Sequence, residues 1–313
     1  MFTPVTHTPV LLSECIKHLN VKPDGIYIDA TLGRGGHSLE IAKKLSGKGS
    51  LIAIDRDEDA ISQAKEILKD FEKNIRLIKG NFENLPEILD SLNVEKADGI
   101  LFDFGVSSPQ LDDENRGFSY MRDTALDMRM DKQNALSAYE LVNTWQYDEI
   151  LSILRKYGEE KFAKNIAREI VKTREIGPIN STFALNEILS RAIPAFAQRD
   201  GGHPSKRTFQ AIRIAVNDEL GAIEKCLKAL PERLNPQARV CAISFHSLED
   251  RIVKNFIKKN ADGCVCPHKL PVCACGFTQT MKPLTKRPIL PREEETIVNP
   301  RAKSAKLRVA ERI

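Results

Sequence analysis

The sequence predicts a doubly wound α/β fold interrupted by an all-helical insertion, and three observations carry that expectation. Short, nearly continuous apolar runs alternate with amphipathic stretches through the first third of the chain. The runs stop near residue 135, where only helical spacing remains. One strand of the same kind returns near residue 240. Near-continuous apolar strands indicate a parallel sheet covered on both faces, and right-handed crossovers wind helices onto each side.

The elements follow in order. Residues 25–29 (Gly-Ile-Tyr-Ile-Asp) read as the first strand, followed by a Gly-rich turn and a helix over 38–45. A second strand over 51–55 leads to a helix over 59–71, and further strands are expected at 75–78 and 99–103. Ser137 with Glu140 three residues later fits a helix-starting capping box. A helix over 147–157 ends at Gly158. Phe162, Ile166 and Ile170 mark the buried stripe of another, and a third over 182–193 is stopped by Pro194. One helix through 212–230 and a strand over 239–245 return to the α/β pattern. The core is therefore placed at 1–134 and 209–313, with a substrate-recognising helical insertion at 135–208.

Composition narrows the class. Of 313 residues, 42% are hydrophobic and 29% charged, close to globular averages, which excludes disorder over most of the chain. Every apolar run falls short of the roughly 18 residues that a membrane span requires. The first fourteen residues lack a basic region followed by an apolar one, so no secretory signal is expected and the seven cysteines should remain reduced. The expectation is a cytoplasmic globular protein with no membrane contact. The net charge of +4 is unevenly placed. Residues 191–213 hold five basic groups against one acid, residues 282–313 hold nine against four, and the remainder is net acidic. That asymmetry suits a phosphate-binding face beside an acidic cofactor site.

The strongest local signal is Asp29-Ala30-Thr31-Leu32-Gly33-Arg34-Gly35-Gly36-His37-Ser38, where a strand ends in a carboxylate and runs into three glycines before a helix. Glycines allow a sharp turn at the strand edge where open α/β sheets bind ligands. The second strand ends in Asp55, placed to accept the hydroxyls of an adenosine ribose. The spacing Gly33-x-Gly35-Gly36 is neither G-x-G-x-x-G nor a Lys-bearing P-loop. No lysine follows to hold a phosphate, and Asp29 adds negative charge. Such a site suits the ammonium and sulfonium of S-adenosylmethionine better than a pyrophosphate. His37 reads equally as a cofactor contact or a group at the helix start. Phe82, after the third strand, reads equally as an adenine contact or as core.

The fourth strand ends in Asp103, followed by a loop through Gly105, Ser107, Ser108, Pro109 and Gln110. Methyl transfer needs an aligned nucleophile and a place for one proton. The lone pair of a base's exocyclic amine is delocalised into the ring. An acceptor such as Asp103, or a carbonyl in this loop, could hold its N–H and free that lone pair, although Asp103 reads equally as a helix cap or as a partner for the methionyl ammonium. Methylation at a pyrimidine C5 requires a nucleophilic Cys. The loop over 103–112 has none, which favours an amine or hydroxyl acceptor.

These segments resemble the bacterial small-subunit ribosomal RNA cytidine N4-methyltransferases. The resemblance also rests on His7-Thr8-Pro9-Val10-Leu11-Leu12, Arg116-Gly117-Phe118-Ser119 and Leu126-Asp127-Met128-Arg129-Met130. It continues through Ser205-Lys206-Arg207-Thr208-Phe209-Gln210, Ile243-Ser244-Phe245-His246-Ser247-Leu248-Glu249-Asp250-Arg251 and Asn299-Pro300-Arg301. It covers nearly the whole chain in order. It implies a Rossmann-like S-adenosylmethionine methyltransferase core with an inserted helical subdomain, and N4-methylcytidine in the decoding region of 16S ribosomal RNA as product. By position it implies cofactor contacts from Gly35, Gly36, His37, Asp55, Phe82, Asp103 and Gln110, with Asp103 catalytic. Lys206, Arg207 and His246 are the expected RNA contacts, although His246, like His203, reads equally as structural. The partner is small-subunit ribosomal RNA, and a homodimer is carried as the assembly. DNA amino-methyltransferases use an Asp/Ser-Pro-Pro-aromatic loop, whereas this chain has Ser107-Ser108-Pro109-Gln110.

Cys264-Val265-Cys266 and Cys273-Ala274-Cys275 place four thiols within twelve residues. They read equally as a zinc tetrathiolate or a loop of reduced thiols, and no metal is assigned. Two competing functions are weighed. A nicotinamide-dependent dehydrogenase is disfavoured by the glycine spacing. A non-enzymatic RNA-binding assembly factor is disfavoured by the retention of Asp29, Asp55 and Asp103.

Overall fold

In the computed structural model, which describes residues 9–199, 203–264, 266 and 274–313, the chain begins with α1 (Leu12–Leu19), β1 (Ile26–Asp29) and α2 (Gly36–Ala42). It continues through β2 (Ser50–Asp55), α3 (Glu58–Leu68), β3 (Ile75–Lys79), α4 (Leu85–Ser91) and β4 (Ala97–Asp103). Seven helices follow: α5 (Ser108–Asp112), α6 (Ala138–Thr144), α7 (Tyr147–Lys156), α8 (Ala163–Arg174), α9 (Thr182–Ala192), α10 (Ala195–Arg199) and α11 (Lys206–Asn217). The chain closes with α12 (Glu219–Ala229), β5 (Leu234–Ser244), α13 (Ser247–Ala261), β6 (Met281–Pro283), α14 (Glu293–Val298) and β7 (Lys306–Arg312). His7, Thr8, Asp200, Val265 and Cys273, which entered the expectations above, lie outside the described residues, as do the side chains of Ser108, Pro109 and Arg199.

The strands form one sheet in the order β3-β2-β1-β4-β5-β7-β6. The first five are mutually parallel, and their order is that of a doubly wound sheet. Tyr27, Ile28, Leu51, Ile52, Ile54 and Phe102 are fully buried, each worth about 1.5–3 kcal/mol of transfer free energy. Burial of neighbouring residues on one strand requires cover on both faces, as the continuous apolar runs predicted. The purely parallel expectation is corrected at one edge. β7 runs antiparallel to β5, and β6 antiparallel to β7. β7 was missed because Lys306-Leu307-Arg308-Val309 alternates polar and apolar, the half-buried pattern of an antiparallel strand. The helix expected through 212–230 is two helices, broken at Asp218, whose φ of 45° lies in the left-handed region.

The chain divides into two compact units, one running to Gly105 and resuming over Leu220–Ile313, the other Val106–Glu219. Sequence reasoning had placed these boundaries at 134/135 and 208/209. The second unit takes in more chain because Phe118, Leu126, Met128 and Met130 are buried in the same apolar cluster as Leu141, Ile166, Leu189 and Phe209. The segment carrying those four has little regular structure, so its backbone groups need side-chain partners. Asn217 supplies them: its Oδ1 accepts from Met130 N at 2.7 Å and its Nδ2 donates to Met128 O at 2.8 Å. Buried Arg116 donates to the carbonyls of Arg129 and Met130 at 3.0 and 2.9 Å. Ser137 caps α6 as expected, its Oγ accepting from Glu140 N.

Candidate active site

Because β1, β2 and β4 are parallel, their C-terminal carboxylates Asp29, Asp55 and Asp103 emerge at one edge of the sheet. Asp29 is 1% exposed; its Oδ1 accepts from Thr31 N at 3.1 Å and its Oδ2 from Ser38 Oγ at 2.7 Å. Burial pushes its pKa up to about 6 against those two hydrogen bonds. Asp55 accepts from Gly33 N at 2.8 Å and Asp57 N at 2.9 Å, which locks the glycine turn onto the second strand. Burial raises its pKa as well. Each of its oxygens keeps a second lone pair for a ligand hydroxyl.

The glycines serve the turn in different ways. Gly35 caps α2 with φ 81°, a conformation that disfavours any side chain. At Gly36 a Cβ would lie 2.3 Å from Pro9 Cγ, so this position is kept small by the chain's own proline. His37 is buried, and its Nε2 lies 3.2 Å from the Val10 carbonyl. A carbonyl only accepts, so Nε2 carries the proton and Nδ1 presents a lone pair. Burial lowers the ring's pKa to about 4, and it is neutral at pH 7.

That lone pair faces Asp103, whose Oδ2 is 3.8 Å from Nδ1. Asp103 N donates to Thr31 Oγ1 at 2.6 Å, tying the ends of β4 and β1 together. Asp103 Oδ1 is buried with no hydrogen-bond partner. Burial first, then the negative charges of Asp29 and Glu249, push this carboxyl's pKa up to about 8. The side chain is nevertheless 26% exposed and so reachable from solvent. A carboxyl whose ionised form is disfavoured by burial and like charges, with one oxygen unsatisfied, is stabilised as the carboxylate by a cation bearing N–H donors.

Phe82 is 9% exposed and packs edge-on to Phe102, with ring centroids 5.8 Å apart, and tilted against Phe104 at 6.0 Å. The Arg56 guanidinium carbon lies 6.0 Å from its ring centroid. The ring is thus mostly core. His246 caps α13: its Nδ1 accepts from Glu249 N at 3.5 Å, and its Nε2 is 3.1 Å from Glu249 Oε1. Both ring nitrogens lie against Glu249 of its own helix turn.

The remaining expected residues belong to the second unit. Gln110 is 7% exposed in α5, and its Oε1 accepts from Ser107 N at 3.0 Å. Lys206 and Arg207 are exposed at the first turn of α11, where cations oppose the helix dipole. His203 stacks on Tyr120 with centroids 4.5 Å apart. At least four of the nine basic residues over 282–313, in the first unit, have partners. Arg308 and Lys306 contact Asp250, Arg292 meets Glu14, and Arg312 donates to the carbonyls of Pro231 and Thr280.

The chain matches the model of the MraW methylase family over residues 4–313. It belongs to that family. It is 54% identical over 307 residues to a protein of Lachnospira eligens called ribosomal RNA small subunit methyltransferase H, covering 98% of both chains. Proteins of the same name from Clostridioides difficile and Brevibacillus brevis are 53% and 52% identical over 307 residues. These alignments cover 98% of this chain, and 99% and 98% of those two.

Three contributors to the methylase's site went unrecognised as such in the sequence. Glu249 is fully buried at the start of α13, its Oε2 accepting from Phe245 N at 2.7 Å and His246 N at 3.2 Å. The spacing His246-x-x-Glu249 after a strand is a capping-box signal that could have found it. Thr31 and Ser38, which hold Asp103 and Asp29, lay inside the glycine motif without a role. Their partners sit 72 and 9 residues away, beyond the reach of local spacing.

Proposed function

We propose that the methylase transfers a methyl group from S-adenosylmethionine to the exocyclic N4 amine of a cytidine in the decoding region of 16S ribosomal RNA. The observation that carries this reading is the Asp103 carboxyl, buried at Oδ1 without a partner and set among Asp29 and Glu249. A site with this charge favours a sulfonium and an ammonium and disfavours a phosphate. The residues present therefore fit the donor.

When bound, the donor supplies a methyl group already activated on a sulfonium, so the chain's own work is placement and proton handling. Asp55 accepts the ribose hydroxyls, and Gly35 and Gly36 let the turn approach closely. Phe82, which follows β3, contacts adenine. His37 holds its neutral Nδ1 beside Asp103, and Gln110 orders the start of the loop that follows β4. Asp103 Oδ1 accepts an N–H, either from the donor's ammonium or from the target amine. In the second case it turns the nitrogen lone pair out of conjugation and provides a destination for the proton. Lys206 and Arg207 bind RNA phosphates. Their exposure at a helix N-terminus, where cations weaken the helix, supports a binding role over a stabilising one. The helical unit then serves recognition of the substrate.

The test is transfer of labelled methyl into small subunits from a strain lacking the protein, followed by nucleoside mass spectrometry. Label in N4-methylcytidine of the decoding region is expected. Label on C5, on a ribose oxygen or nowhere overturns the assignment. A cytoplasmic location belongs to the same proposal. The homodimer is tested by specific activity, which should rise with enzyme concentration if the dimer is the active form and stay constant otherwise.

A further inference from the structure

The segment between α13 and β6 has no buried residue among those described from 262 to 280, so no apolar core holds it in place. Yet three thiols converge there. The sulfurs of Cys264, Cys266 and Cys275 all lie within 4.8 Å of one another, although Cys275 is eleven residues from Cys264. Cys264 and Cys275 have their Sγ atoms 3.7 Å apart. That is far beyond the ~2.05 Å of a disulfide. It matches the edge of about 3.8 Å expected for a tetrahedron with ~2.3 Å metal–sulfur bonds. Independently, Ala274 N donates to Cys266 Sγ at 3.2 Å, the kind of outer contact that orients a thiolate ligand and offsets its charge. Gly276, with φ 67°, turns the chain immediately after Cys275.

We infer that Cys264, Cys266 and Cys275 are ligands of one structural zinc ion that ties the end of α13 to the start of β6. Zinc suits the donor set, because soft thiolates select it over harder cations and it imposes no redox chemistry. Its binding energy would hold a segment in which none of the described residues is buried. Each thiol that ligates gives up its proton on binding, so metal uptake releases protons to the buffer. Three thiolates leave one tetrahedral position for a fourth ligand. This inference is independent of the methyl-transfer proposal, and its readouts are metal content and spectra.

The full-length protein purified without chelator should contain about one zinc per chain by elemental analysis. Removing it and adding Co²⁺ should give the intense sulfur-to-cobalt charge-transfer band of a site with three or four thiolates. Cys264→Ser and Cys275→Ser should each lower zinc content at least tenfold while retaining the far-ultraviolet circular dichroism of the α/β core. Unmodified protein carries the test if either variant fails to fold. Zinc below about a tenth of an equivalent after growth in zinc-supplemented medium overturns the inference. So does a cobalt spectrum showing two thiolates or fewer. Titration of five thiols rather than all seven in denaturant without reductant would reveal a disulfide and would also overturn it.

Discussion

Asp103 carries a carboxyl whose ionised form its surroundings disfavour. Its folded-state pKa of about 8 lies above the ordinary carboxylate value of 3.8, so the folded protein holds this proton more tightly than the unfolded chain. Stability from this group is therefore complete below pH ~4 and is lost as pH rises toward about 8. Asp103→Asn removes the ionisation. It should raise the melting temperature by several degrees at pH 8 and by less at pH 5, while methyl transfer falls by about 100-fold or more. Paired thermal melts and single-turnover assays check this. A melting point unchanged at pH 8 would contradict the assigned electrostatics. The same linkage governs the cationic donor, which prefers the ionised carboxylate. Affinity for S-adenosylmethionine should increase from pH 6 toward pH 8, with proton release on binding near pH 7. Calorimetry in buffers of different ionisation enthalpy measures both. Sequence reasoning reached Asp29, Asp55 and Asp103 because strand ends are local features. It missed Glu249, whose field on Asp103 comes from a turn 146 residues away in the chain.

At the scale of elements, the five parallel strands were legible because continuous apolar runs have one structural explanation. Their boundaries fell within a few residues of those expected, except that β5 begins earlier, at Leu234. The antiparallel β7 and the short β6 were not found, since alternation over four residues and a Pro-bearing triplet are weak signals. The break at Asp218 was missed for a related reason: apolar spacing continues across it, and only the backbone reverses. Directly before that break, Asn217 ends α11 and hydrogen-bonds the irregular segment through Met128 and Met130. Asn217→Ala leaves a buried N–H and a buried carbonyl unsatisfied, and should cost about 2–4 kcal/mol of stability. Hydrogen exchange should localise the loss to the helical unit, with protection in the parallel strands unchanged. Uniform loss across both units would show that they unfold together.

For the whole molecule, a net charge of +4 conceals basic segments and a net acidic remainder that holds the candidate site. Within 282–313, Arg292 pairs with Glu14, and Lys306 and Arg308 pair with Asp250. Lys206 and Arg207 are exposed and carry the RNA expectation. Replacing both with Ala should reduce the slope of log affinity against log salt for small-subunit RNA by about 1.5. Donor affinity should be unchanged, and filter binding across a salt series reads the first effect. By itself the sequence determined the fold class, the carboxylates at the strand ends and the family resemblance. Each of these depends on residues close together in the chain, where periodicity and strand-end chemistry act. Tertiary structure alone decided which carboxyl is held neutral, which histidine caps a helix and which basic residues are already paired. It also decided that three cysteines converge. Those properties depend on desolvation and on the approach of groups far apart in sequence, which no local pattern encodes.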